Sequence, residues 1–191
     1  MNQATVFISY SHRGSGLEWK ERVCDSLAVF EQHDLLNPWH DETTELGEDW
    51  HARINGAMQG AHVAILLLTK EFLESEFVAQ FELPVLNQLN QEGKLRIAPI
   101  LCEPCAWRDH EWLASLQIKP RVLTDPTPLS ALSPAEQQRW LHDLALEIAN
   151  SISGMSFEAL ATIDDEKAGK KIILDRFPIA IPSGLMAMSH F

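Results

Sequence analysis

A glutamate set in an apolar helix face is the first residue that asks for a chemical explanation. Between Ser75 and Asn90 the sequence spaces Val78, Val85 and Leu89 onto the centre of one helix face, with Leu86 on one side and Phe81 and Phe77 on the other. Glu82 falls between Val78 and Leu86, four residues from each. A carboxylate is costly to desolvate and is almost never fully buried without a partner. Two explanations fit this spacing equally. One is a buried ion pair, with Arg53 or Arg96 as the cation. The other is a cleft that opens here, so that the carboxylate meets a ligand. Pro84 has no N–H for the Gln80 carbonyl, which predicts a kink beside Glu82.

The loop after the first strand offers a second set of groups: the hydroxyls of Ser9, Tyr10 and Ser11, and the cation of Arg13. It contains neither G-x-G-x-x-G nor G-x-x-x-x-G-K-[ST], which disfavours a Rossmann or P-loop phosphate cradle. Taken singly, Ser9 and Ser11 read as ordinary turn chemistry. No G-x-S-x-G anchors a nucleophilic triad. The eight histidines form no metal-ligand spacing, and His62, opening an apolar strand, reads as structural. Cys102 and Cys105 form a C-x-x-C, but no second pair stands at zinc spacing. A redox C-x-x-C usually opens a helix, whereas this one follows a strand and contains Pro104. The two cysteines read as small semi-buried residues in a turn, and no metal and no bound cofactor are expected.

The elements that would position these groups alternate. Thr5–Ser9 is a β-rich run, followed by a helical pattern carrying Leu17, Val23, Leu27 and Phe30. Leu35–Trp39 is a second strand, and Pro38 places it at a sheet edge. An acidic loop, His40–Gly47, leads to a helix with Trp50, Ile54, Ala57 and Met58, and with Glu48 and Asp49 in its first turn. Ala61–Leu68 is almost wholly apolar, as a central parallel strand covered on both faces must be. Ser75 starts the Glu82 helix, Ile97–Leu101 is a fourth strand, and Arg121–Leu123 a short fifth. Ser133, Pro134 and Glu136 make a capping box for a last helix, whose buried stripe is Trp140, Leu141, Leu144, Ile148 and Ile152. The alternation predicts an α/β domain with a parallel sheet, in which ligands bind outside the carboxyl ends of the strands.

The 191 residues suffice for one domain, and a 46% hydrophobic content supplies a core. A net charge of -12 argues against nucleic acid or an anionic membrane surface as the main partner. No apolar run is long enough to span a bilayer, and the start does not read as a secretory signal. With three cysteines, the expectation is a cytoplasmic protein. The α/β pattern ends near Ser153, so residues 1–153 form the expected domain and 154–191 an extension or linker of no assigned role.

Four stretches in order resemble one family. VFISYSH (Val6–His12) resembles the first box of TIR (Toll/interleukin-receptor) domains. Trp39–Asp41, the acidic loop and G-x-x-W-x-x-x-I (Gly47–Ile54) resemble the second strand, the BB loop and the next helix. Ala61–Leu86, with its E-L-P, resembles the bacterial pattern. Ala98–Trp107 is similar to the fourth strand and its proline–cysteine–tryptophan turn. The resemblance implies a flavodoxin-like three-layer sandwich with a five-stranded parallel sheet in order 2-1-3-4-5. It implies NAD glycohydrolase activity, with NAD as substrate and Glu82 of E-L-P as the catalytic residue. Ser9, Tyr10, Ser11, Trp39, Asp41 and Phe77 are the implied substrate contacts. The family often carries tryptophan one turn before the glutamate; here Phe77 stands five residues before it. The BB loop is acidic and lacks the arginine frequent in relatives. Self-association through TIR–TIR contacts, a sensor domain or protein, and a place in bacterial anti-phage defence signalling are implied in the same way. A non-catalytic TIR adaptor and a nucleoside deoxyribosyltransferase-like enzyme are the competing readings.

Overall fold

A computed structural model describes residues 4–40, 50–122 and 125–153. Strands β1 (Ala4–Ser9), β2 (Leu36–Trp39), β3 (Val63–Leu68) and β4 (Arg96–Leu101) form a parallel sheet in the order β2-β1-β3-β4. Helices α1 (Gly16–Gln32), α2 (Trp50–Gly60), α3 (Lys70–Leu73), α4 (Leu83–Gln91), α5 (Glu111–Ser115) and α6 (Pro134–Ser153) surround it. Every residue of β3 is buried, as a strand covered on both faces requires. β2 pairs with β1 alone, and Pro38 sits opposite Val6 at this edge, where its missing N–H interrupts no interior ladder.

Strand alternation divides the core in two. Val6, Ile8, Ile65 and Leu67 join the apolar faces of α1 and α6. Phe7, Leu66 and Leu68 point the other way, toward Ile54 and Met58 of α2 and Leu86 and Leu89 of α4. In α1 the buried stripe is Trp19, Val23, Leu27 and Phe30, and Leu17 is 43% exposed. The expectation for Leu17 is thus corrected: six residues before Val23 it lies off the stripe, whereas Trp19, four residues before, lies on it. The capping box of α6 forms as expected. Ser133 N–H donates to Glu136 Oε2 at 2.9 Å, and Glu136 N–H donates to Ser133 Oγ at 3.4 Å.

The α/β class, the parallel sheet and the order 2-1-3-4 follow the expectation. The fifth position is reduced to a single parallel bridge, in which Lys119 N–H donates to the Pro99 carbonyl at 3.0 Å and Leu101 N–H to the Lys119 carbonyl at 2.7 Å. Pro120 follows and has no N–H with which to extend the ladder. Arg121–Val122 (β5) pairs instead with Asp125–Pro126 (β6), antiparallel and in a separate sheet. Asp41, most of the acidic loop and residues 154–191 lie outside the described residues.

Candidate functional site

The chain switches direction across the sheet between β1 and β3, and this is where a crevice opens at the carboxyl ends of the strands. The cleft there has a volume of about 670 Å³, within the range of small-molecule sites. Tyr10, Ser11, His12 and Arg13 form one wall, from the β1–α1 loop. Trp39, Trp50 and Ile54 form a second, and the segment from Glu71 to Phe77 a third. Glu82 reaches into it from the helix after β3.

Glu82 is 7% exposed. Ser9 Oγ, at the last residue of β1, donates a hydrogen bond to Glu82 Oε2. The contact joins residues 73 positions apart, and Ser9 itself is 1% exposed. The partner so placed is a neutral hydroxyl. Of the two cations considered for a buried pair, Arg96 is exposed and donates to the Ser151 carbonyl at 2.9 Å, and Arg53 is exposed on α2.

The helix carrying Glu82 departs from α geometry where the sequence predicts a kink. Ser75 caps its start, accepting from Val78 N–H at 3.3 Å. Val78–Glu82 is then a π turn, closed by Leu83 N–H donating to the Val78 carbonyl, and Pro84 follows in the first turn of α4. This turn accounts for the unusual spacing of Phe77 and Glu82. In an α-helix, residues five apart point about 140° away from each other. A turn closed over five residues brings them back toward one side, and both line the cleft. The same widening turns Val85 to a half-buried position and brings Leu83 into the core beside Val78 and Leu86.

Phe77 does not stand alone. Its ring lies 4.3 Å from that of Trp50, and Phe81 and His51 extend the cluster, with Phe81 at 5.1 Å from Phe77. Trp39 is placed by stacking on Phe7, at 5.2 Å and 13° between planes. Tyr10 is buried; His12 stacks on it at 4.8 Å, and Lys20 Nζ lies 6.0 Å from its ring centre. Ser11 Oγ accepts from Arg13 N–H at 3.1 Å, so this hydroxyl shapes the loop. The loop also requires Gly16, where a Cβ would stand 2.0 Å from the Ser11 carbonyl oxygen. Arg13 is exposed and is the one lysine or arginine among the described residues lining the cleft.

The structure thus gathers Ser9, Tyr10, Ser11, Trp39, Phe77 and Glu82 around one crevice; Asp41 lies outside the described residues. The cleft lining also includes residues that are not among the expected contacts, Trp50 and Arg13 chief among them. In the sequence Trp50 reads as part of a helix face, although its place one turn before Ile54 puts it at the helix mouth. Arg13 reads there only as a loop cation. Cys102 is buried, its thiol pushed well up by desolvation, and Cys105 is shifted up for the same reason. No group of three or more metal-binding side chains occurs among the described residues. Among these residues no helix is long and apolar enough to cross a membrane.

Comparison with known proteins bears on the same region. Residues 6–127 match the family model described as TIR domain. The chain is 26% identical over 117 residues to Uncharacterized protein y4lF of Sinorhizobium fredii (strain NBRC 101917 / NGR234), covering 61% of this chain and 35% of that protein. The chain therefore spans about a third of that relative's length. A solved TIR domain of the Toll-related receptor TRR-2 from Hydra magnipapillata aligns over 55% of this chain and 78% of its own, at 17% identity and a TM-score of 0.39. That likeness is too slight to bear on function.

Proposed function

The chain belongs to the TIR domain family, and from that membership and the cleft around Glu82 we propose that it is an NAD glycohydrolase. The observation that carries the reading is a buried carboxylate, hydrogen-bonded by a hydroxyl, facing a cleft with an aromatic wall. Hydrolysis breaks the bond between the nicotinamide nitrogen and ribose C1′. The electron pair of that bond stays with nitrogen, so the cationic pyridinium leaves as neutral nicotinamide and needs no general acid. The demand that remains is to stabilise an oxocarbenium-like ribose. Glu82 opposes that developing positive charge and holds the ribose hydroxyls. Water then bonds to C1′ and loses a proton, giving ADP-ribose; attack by an internal nucleophile such as the adenine ring gives a cyclic isomer instead.

The other walls suit the rest of the molecule. Phe77 and Trp50 offer a surface on which the nicotinamide ring can stack. Arg13 offers a positive charge to the pyrophosphate. The four glutamates around it, at positions 71, 74, 76 and 82, favour a ligand that also carries a positive ring. Self-association through TIR–TIR contacts, a sensor partner and a role in cytoplasmic anti-phage signalling complete the proposal, and they rest on the family alone.

The test is incubation of the 191-residue protein with NAD and chromatography of the products. Release of nicotinamide with ADP-ribose or a cyclic isomer supports the reading. Intact NAD at high protein concentration, and after fusion to an oligomerising tag, overturns it in favour of a non-catalytic adaptor.

A further inference from the structure

Resting on that reading, we propose that Ser9 is the positioning residue of Glu82: its hydroxyl fixes the carboxylate within the cleft and is not itself a substrate contact. The expectation from sequence placed Ser9 among the substrate contacts. Its side chain is instead engaged with the glutamate and almost wholly out of solvent. A serine hydroxyl has one proton to donate, and an ionised carboxylate can only accept, so the direction of this bond is fixed.

The two ends of the bond differ in rigidity. Ser9 ends an interior strand, which pairs with β2 on one side and β3 on the other, and it stands in register with Leu66 of β3. Glu82 has a long side chain and grows from a π turn, where the regular α ladder is interrupted. Tethering one oxygen to the sheet removes rotamer freedom that the reaction would otherwise have to remove. A neutral donor does this without cancelling the negative charge that opposes an oxocarbenium ion. A lysine or arginine in the same place would hold the carboxylate as firmly but would neutralise it.

The hydrogen bond also favours the charged form of Glu82 over the protonated one. Among the described residues, the other charged or titratable groups lining the cleft are Tyr10, His12 and Arg13 on the β1–α1 loop and Glu71, Glu74 and Glu76 after β3. All of them remain when Ser9 is changed, so a difference between the parent and a Ser9 variant reports the hydroxyl.

The experiment compares the parent with Ser9→Ala and Ser9→Thr, each with carbon-13-labelled glutamate carboxyls. The Glu82 signal is assigned by its loss in Glu82→Gln. In Ser9→Ala the Glu82 titration should move to higher pH, and in Ser9→Thr it should return toward the parent. For NAD cleavage, kcat should fall about tenfold or more in Ser9→Ala, with KM changed far less. The acid limb of its pH profile should move the same way as the carboxyl titration. The carboxyl measurement needs no turnover, so it reads the Ser9 contact even if the protein proves not to cleave NAD. An unchanged Glu82 titration in a folded Ser9→Ala protein overturns the proposal. So does a raised KM with unchanged kcat, which would make Ser9 a substrate contact. If Ser9→Ala does not fold, a Ser9→Thr protein with parent-like titration and kcat supports the proposal, and one with neither overturns it.

Discussion

On one face of the sheet Val6, Ile8, Ile65 and Leu67 meet α1 and α6; on the other Phe7, Leu66 and Leu68 meet α2, the π turn and α4. The first face is the more regular. Its long helices present apolar stripes at three- and four-residue spacing, and α6 starts on a complete capping box. The first face does bury Lys20 of α1 and Gln137 of α6, but its helices stay regular; the second combines a buried glutamate, a buried serine that binds it, a π turn and an aromatic cluster at the rim. Burial of polar groups and interruption of a helical ladder both cost stability, and only around Glu82 do the two coincide beside a cleft, which is why the proposed site is put there.

Breaking the regular face should produce the largest loss of stability. Ile65→Ala removes side-chain atoms that are wholly buried beneath α1 and α6, and should cost about 2–5 kcal/mol. Thermal unfolding checks this, and NAD cleavage per folded molecule should stay near the parent value. Trp50→Ala should have the opposite profile. It opens the aromatic wall at the cleft rim, so KM for NAD should rise about tenfold with only a small loss of melting temperature.

Deleting Ala79 sharpens the comparison at the π turn. Ala79 is exposed, and its removal sets Phe77 four residues from Glu82, the spacing of an ordinary helical turn. The Leu83 N–H then reaches the Val78 carbonyl in α geometry. NAD cleavage should stay within about threefold of the parent, and the melting temperature should hold or rise. A folded deletion variant without activity would show that the wide turn itself is required.

The smallest effect belongs to Asp143 on α6, whose carboxyl is shifted up by partial burial. Its folded form holds a proton to higher pH than its unfolded form does. The folded state therefore binds more protons between the unfolded and folded values, and stability falls as pH rises through that window. Asp143→Asn should raise the melting temperature by about 1–2 °C at neutral pH and have no effect in acid below the unfolded value.

What the sequence reveals follows the same division. The apolar run of β3, the edge proline of β2 and the box of Ser133 and Glu136 are local signals, and each one corresponds to what forms. The position of Glu82 in an apolar stripe is also local, so its burial is legible. Its partner is not, because Ser9 is 73 residues away and one hydroxyl in a strand carries no pattern. Pro84 announces an irregular helix, but whether the chain kinks or widens depends on which carbonyl the next free N–H reaches, and that is decided by packing. The short strand expected from Arg121 forms over Arg121–Val122, but outside the main sheet, because Pro120 has no N–H with which to extend the bridge at Lys119.

The central claim is that Glu82 is on this face for chemistry and not for stability. Glu82→Gln keeps the size of the side chain and its ability to accept from Ser9, and removes the charge. Melting temperature and NAD cleavage are measured on the same preparation. The account predicts a melting temperature at or above the parent's and cleavage reduced by roughly two orders of magnitude or more. A Glu82→Gln protein that melts well below the parent and still cleaves NAD at the parent rate per folded molecule would contradict it.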